Sequence, residues 1–284
     1  MAKQRLDSLL VERGLCASRQ LAQRLIGAGE VMVNQQVIDK PGTAVDVEAK
    51  ISIKERSRFV SRGGEKLAKA LEVFAIKVQD RICLDGGIST GGFTDCLLQA
   101  GAKLVYGIDV GYGQVDWRIR TDERVILRER TNLRHLTKAD LYGIEGADIK
   151  AENLHQKPLP DLGVVDVSFI SLTKILPALL ELLAPPKELI LLVKPQFEVG
   201  KEKIGKKGVV RDADAQAFAI QQVLETAKIL GWEYRGLTFS PITGPAGNIE
   251  YLLWLGIDGG VPVPVFKEIT KAAQKQLKTA DVGG

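Results

Sequence analysis

The stretch Arg81-Ile82-Cys83-Leu84-Asp85-Gly86-Gly87-Ile88-Ser89-Thr90-Gly91-Gly92-Phe93-Thr94 decides how the chain is read. A short apolar run ends in Asp85, breaks into a glycine-rich turn and passes into an amphipathic helix through Thr94, Leu97 and Leu98. Strand, turn and helix in that order form the first unit of a doubly wound α/β sheet, in which ligands sit beyond the carboxyl ends of the strands. Gly86, Gly87, Gly91 and Gly92 predict positive φ in the turn and a backbone that a ligand approaches without meeting a Cβ. The spacing D-x-G-x-x-x-G-G is neither the dinucleotide fingerprint nor the P-loop.

Further on, Leu104-Val105-Tyr106-Gly107-Ile108-Asp109 reads as a second strand ending in an acid. A carboxylate there suits a ribose diol, which offers two hydroxyl donors. The two strand ends together resemble the S-adenosylmethionine site of Rossmann-like methyltransferases. That resemblance implies Asp85, Gly86, Gly87, Ser89, Thr90, Gly91, Gly92, Phe93 and Asp109 as donor-binding residues. Val125-Ile126-Leu127 is a third strand, and Asn132 in the polar turn after it is either placed to meet the adenine or a simple turn residue.

With 284 residues the chain has room for one large domain, or for a small domain plus a medium one. A net charge of +4 is mildly basic, compatible with an anionic partner without indicating one. Cys16, Cys83 and Cys96 share no metal-ligand spacing, and the latter two fall at core positions, as reduced thiols in a cytosol would. His135 and His155 are the only histidines, so no histidine-rich metal site is expected. The N-terminus has no apolar leader segment, and the longest apolar run, Leu189–Val193, is far short of a membrane span. A soluble cytoplasmic protein, monomeric or a weak dimer, is expected.

Residues 1–55 read as a separate α+β unit. Leu6, Leu9 and Leu10 share a helical face; Ser18 is placed to cap a second helix carrying Leu21, Ala22, Leu25 and Ile26; Val31–Val33 and Val37-Ile38 form a hairpin. Arg5, Arg19 and Arg24 suit RNA phosphates, although charge alone equally describes a solvated helix face. The order Arg-Leu-Asp, Ala-Ser-Arg and Ile-Gly-Ala-Gly-Glu-Val-x-Val-Asn resembles the S4-type RNA-binding domain shared by ribosomal small-subunit protein four and tyrosyl-tRNA synthetase, over residues 3–53. Residues 56–61 read as a linker, 62–265 as a catalytic domain and 266–284 as a short helix with a frayed tail.

In that catalytic domain, Gly64 and Glu65 suit the start of a helix whose apolar face is Leu67, Ala70, Leu71 and Phe74, with Lys66 in its first turn. A fourth strand ends at Asp166, with Ser171 capping the next helix. A fifth, Glu188–Val193, ends at Lys194, where a lysine must be solvated, paired or functional. The glycine-rich run 200–211 carries Lys201, Lys203, Lys206, Lys207 and Arg211; beside the strand ends it suits a mobile clamp on nucleic acid or a plain surface loop. Asp212–Leu230 is an amphipathic helix, and the turn Gly247-Asn248-Ile249-Glu250-Tyr251 leads into the last strand.

Lys66, Asp166, Lys194 and Glu250 resemble the K-D-K-E tetrad of the FtsJ-like ribose 2′-O-methyltransferases. With the S4-like unit and the motifs Ser-Arg-Gly-Gly-x-Lys-Leu, Asp-Val-Ser-Phe-Ile-Ser-Leu and Lys-Pro-Gln-Phe-Glu, residues 3–257 resemble the haemolysin-A (TlyA) rRNA methyltransferases. The resemblance implies a mostly parallel seven-stranded sheet, S-adenosylmethionine as donor, no metal, and a cytidine 2′-hydroxyl of ribosomal RNA as acceptor, with 23S favoured over 16S. It also implies that Lys201, Lys206 and Lys207 meet RNA and that the tetrad is catalytic. Lys194 then either accepts the hydroxyl proton or stabilises the developing alkoxide, with Asp166 and Glu250 positioning the amines. Base methylation is disfavoured: Asp166-Val167-Ser168-Phe169 lacks the prolines of amino-methylating enzymes, and no cysteine nucleophile follows Cys96. A cytolysin and a catalytically silent RNA-binding assembly factor are the competing classes.

Overall fold

The computed structural model describes residues 2–54, 57–142 and 158–280. Arg56 at the head of the expected linker, His155, and residues 281–284 lie outside them. The chain separates into two compact units, residues 1–57 and 58–284.

The first unit runs β1 (Lys3–Arg5), α1 (Leu6–Glu12), α2 (Arg19–Gly27), β2 (Val31–Val33), β3 (Gln36–Val37), β4 (Ala44–Asp46) and β5 (Ile51–Ile53). Ser18 caps α2, its Oγ accepting from the Leu21 amide at 3.2 Å. Leu6, Leu10, Ala22, Ile26 and Val31 are fully buried between helices and strands. The expected hairpin is only part of the β-structure. β2 lies between β3 and β5 in an antiparallel three-stranded sheet, and β1 pairs separately with β4. Asn34 and Gln35 both take positive φ, 49° and 68°, the turn geometry whose twist suits a two-residue hairpin. Strands of three residues are too short for alternation to specify the β5 and β4 pairings.

The second unit contains α3 (Gly63–Val73), β6 (Ile82–Gly86), α4 (Gly92–Gln99), β7 (Leu104–Ile108), α5 (Trp117–Arg120), β8 (Val125–Arg128), α6 (Lys138–Tyr142), β9 (Leu162–Val165), α7 (Leu176–Leu182), β10 (Glu188–Val193), α8 (Pro195–Glu198), α9 (Ala213–Ile229), β11 (Glu233–Phe239), β12 (Tyr251–Gly256) and α10 (Phe266–Ala280). Its seven strands are ordered β11-β12-β10-β9-β6-β7-β8. β12 is antiparallel to both neighbours, and β10, β9, β6, β7 and β8 run parallel. Apolar layers cover both faces. Leu84, Tyr106, Val165 and Leu191 pack with Leu176, Leu179, Ile220 and Leu224; Cys83, Val105, Val164 and Ile190 pack with Leu67, Ala70 and Leu97. That two-sided burial is why these strands read as continuous apolar runs. The strand order reverses at β6, which opens a crevice at the carboxyl ends of β6 and β9.

Three elements differ from expectation. α3 begins at Gly63 with Arg62 as its cap residue, so Gly64 lies inside the helix. Ser171 caps a short 3-10 turn, Leu172–Lys174, and α7 begins only at Leu176. Pro177 explains the break, since a proline without an N–H is tolerated only in a first helical turn. α10 is a packed helix, with Phe266, Thr270 and Ala273 buried and the Thr270 hydroxyl donating to Ala213 O at 3.0 Å.

Candidate active site

The glycine-rich turn joins the ends of β6 and β9. The Asp166 amide donates to Gly86 O at 2.9 Å, and Gly87 has φ +88°. A Cβ on Gly87 would stand 2.4 Å from Asp166 O, and one on Gly92 would stand 2.2 Å from Ser61 Oγ and 2.9 Å from Gly64 N. Tight packing against the neighbouring chain thus requires glycine at both positions, which also face the cavities beyond the strand ends.

Two cavities open beyond the strand ends, sharing Gly87, Ser89 and Asp166. The larger, about 470 Å³, is bounded by Asp109, Val110, Gln114, Asn132, Leu133 and Phe169 as well. The smaller, about 210 Å³, is bounded by Arg62, Lys66, Thr90, Gly92, Phe93 and Thr243 among others. The Asp109 carboxylate accepts from Ser89 N at 2.8 Å through one oxygen and from Gly111 N at 2.7 Å through the other. Each oxygen retains a lone pair. Asn132 serves both readings: its Oδ1 caps the next turn through Arg134 N at 3.0 Å, while the residue lines the larger cavity. Gln114 is a lining residue that sequence reasoning missed, although the Gly111-Tyr112-Gly113 turn after the second acid signals a ligand loop.

Asp85, Gly86 and Gly91 line neither cavity, contrary to expectation. Asp85 is fully buried beneath the turn, its Oδ2 accepting from Thr94 Oγ1 at 2.6 Å and its Oδ1 without a hydrogen-bond partner. Burial pushes its carboxyl up to about 7. A carboxyl raised in the folded state contributes stability that is complete below the unfolded value of about 4 and lost as the pH rises through 7. Chemical denaturation from pH 4 to 8 should show that decline, and Asp85→Asn should flatten it. An identical slope in the variant would assign the decline to another group.

The four tetrad residues assemble as two ion pairs. Lys66 Nζ lies 2.5 Å from Glu250 Oε2, and Lys194 Nζ lies 2.6 Å from Asp166 Oδ1. The pairing of Val193 with Tyr251 sets Lys194 and Glu250 at neighbouring strand ends, because antiparallel β12 begins where parallel β10 finishes. Both lysines are 8% exposed and Glu250 is 2% exposed. Lys66 and Asp166 face the smaller cavity together. Two further contacts escaped the sequence reading. Lys194 Nζ donates to Ser168 Oγ at 2.9 Å, and buried Glu198 accepts from Ser171 Oγ at 2.6 Å and Leu172 N at 2.9 Å. Burial raises the Glu198 carboxyl. Between these contacts Phe169 adopts φ +65° and stands almost wholly exposed, its ring 5.3 Å from that of Phe197.

The expected RNA-facing cations fall into two groups. In the first unit, Arg5 and Arg19 both bind Asp7, at 2.9 and 3.0 Å, and Gln23 donates to it at 3.0 Å. Asp7 is fully buried, and the Arg5 hydrogen bond, above all, holds its carboxyl far below the usual range. Two guanidiniums thus share one carboxylate, so the pair presents about one net charge; Arg24 is exposed. In the second unit Lys201, Lys206 and Lys207 are exposed. Among the described residues no helix is long and apolar enough to cross a membrane, and no His, Cys, Asp and Glu cluster has metal-binding geometry.

An FtsJ-like methyltransferase model matches residues 59–257, and an S4 domain model matches residues 4–51. A Mycobacterium tuberculosis protein named 16S/23S rRNA (cytidine-2′-O)-methyltransferase TlyA is 47% identical over 88% of this chain and 89% of its own. A Campylobacter jejuni protein named 23S rRNA (cytidine-2′-O)-methyltransferase TlyA is 38% identical over 69% of this chain and 70% of its own. A solved Streptococcus thermophilus chain, provisionally named a hemolysin, is 42% identical with a TM-score of 0.73 and covers 99% of both chains. The order of strands, the paired tetrad and these matches agree: the chain belongs to the TlyA (haemolysin A) family, an FtsJ-like methyltransferase with an S4 domain.

Proposed function

We propose that the protein methylates the 2′-hydroxyl of a cytidine in ribosomal RNA with S-adenosylmethionine as donor, preferring 23S RNA, in the cytoplasm. The observation that carries this reading is a lysine–carboxylate pair, Lys194–Asp166, whose Asp166 lines a cavity together with Asp109 and Asn132. The names of the M. tuberculosis and C. jejuni relatives support the substrate.

The larger cavity fits the donor's chemistry. Asp109 keeps acceptor capacity for a ribose diol, Asn132 and Gln114 offer amides to an adenine edge, and Val110, Leu133 and Ile170 supply apolar walls. When bound, S-adenosylmethionine supplies a methyl already activated by its sulfonium charge. The residues of the chain are then left to align the acceptor and manage its proton. The Lys194 ammonium donates one of its three N–H groups to Ser168 and is held by charge beside Asp166, so further N–H groups are available to the ribose oxygen as its proton passes to solvent and it becomes negative. Lys66, fixed by Glu250, adds a second cation at the smaller cavity.

Labelled S-adenosylmethionine incubated with separated, unmodified 30S and 50S subunits tests the reading. Label should enter 50S subunits and survive nuclease digestion as a 2′-O-methyl dinucleotide. No label in either subunit, with donor binding intact, would instead favour an RNA-binding assembly factor.

A further inference from the structure

The basic run 200–211 is expected from sequence to be a mobile loop, yet the structure builds it as a braced arm. Short 3-10 turns form at Lys201–Lys203 and Lys206–Gly208. The stem is held by three amide side chains from three separate elements. Asn248, before β12, accepts from Val210 N and donates to Gly208 O, each at 2.9 Å. Gln216 of α9 donates to Val210 O at 2.7 Å and accepts from the Tyr251 hydroxyl at 2.7 Å. Gln274 of α10 donates to Arg211 O at 2.7 Å. Asn248 and Gln216 are 2% and 1% exposed, so their amides have little water to fall back on. Lys203 rests on the Phe218 ring at 3.9 Å. Among the described residues no acid pairs with Lys201, Lys206, Lys207 or Arg211, and Glu202 is the arm's only acid.

We propose that Asn248 and Gln274 are positioning residues that hold these four cations as a pre-set phosphate-binding arm, at a fixed place relative to Glu250 two residues beyond Asn248. The inference rests on the RNA-methylating reading above. A rigid arm binds without the ordering cost that a mobile loop carries. Because α10 lies beyond residue 257, where the FtsJ-like match ends, Gln274 braces the arm from outside the core methyltransferase.

The test uses full-length Gln274→Ala and Asn248→Ala, with tryptic cleavage after Lys206 and Lys207 followed by mass spectrometry and transfer kinetics measured on the accepted subunit. Gln274→Ala should cleave about tenfold faster and show a KM for RNA about tenfold higher, the scale of one lost hydrogen bond, and Asn248→Ala, which loses two, should change both at least as much. Donor Kd should stay within about twofold, whereas general unfolding would weaken it too. Cleavage within twofold of wild type, or faster cleavage with an unchanged KM for RNA, overturns the proposal. Gln274 is partly exposed on a surface helix, so its variant reads out even if Asn248→Ala does not fold. Failure of the wild-type protein to methylate either subunit would overturn the methylation reading instead, and the cleavage rates would still judge the brace.

Discussion

Lys194→Ala is expected to lower methyl transfer to ribosomal RNA by about a thousandfold or more while S-adenosylmethionine binds within about threefold of wild type. Loss of one preorganised donor aimed at developing charge typically slows a reaction by about 10²–10³-fold. Here the same substitution also removes the partner of Asp166, leaving a bare carboxylate beside a forming anion. Donor binding is spared because Lys194 does not line the cavity bounded by Asp109 and Asn132. Single-turnover transfer and equilibrium donor binding on the same preparation separate the two effects. Normal turnover would remove Lys194 from its assigned role, and loss of donor affinity equal to the loss of rate would recast it as a donor-site residue.

Gly87→Ala is expected to destabilise the methyltransferase unit by about 3 kcal/mol, lowering its Tm by about 10 °C. Two effects combine. An alanine at φ +88° is strained by itself, and its Cβ would meet the Asp166 carbonyl at 2.4 Å, a backbone atom that cannot swing aside. The carbonyl belongs to the residue that pairs with Lys194, so relief of the clash also displaces that pair, and transfer should fall with stability. Gly113→Ala is the control, with φ +74° and nothing within 4 Å of its Cβ, and should cost only about 1 kcal/mol. Equal melting of the two variants would show that the crossing of β6 and β9 tolerates a side chain.

Local pattern carried the sequence a long way. The apolar runs ending in Asp85, Asp109, Asp166 and Lys194 mark four parallel strands, because burial on both faces forces near-continuous apolar residues. Ser18 shows its capping role through residue type and position alone, whereas Asp212, read as the first residue of its helix, is that helix's cap. What escaped depends on partners distant in the chain. Nothing near Gly87 announces the Asp166 carbonyl, and nothing near Val210 announces Asn248 or Gln274. Asp7 carries no signal of its role until the fold brings Arg19 and Gln23 against it. Asp85 stands where a ligand-facing acid is expected, but its side chain turns down to Thr94. The tetrad was legible only because four separate motifs resemble one family; the pairing of Lys66 with Glu250 and of Lys194 with Asp166 came from the fold.

The Lys66–Glu250 pair joins positions 184 residues apart, with Glu250 immediately before β12, the strand that lies between β10 and the edge strand β11. During synthesis, the residues that line the larger cavity, up to Ile175, leave the ribosome before Glu250 does. A nascent chain therefore carries the residues of that cavity while Lys66 still lacks its carboxylate. A stop codon placed between positions 176 and 250 leaves a chain with the same deficit. The Lys66–Glu250 pair is thus complete only once that late segment has been made, and such long-range closure is also the slow part of folding.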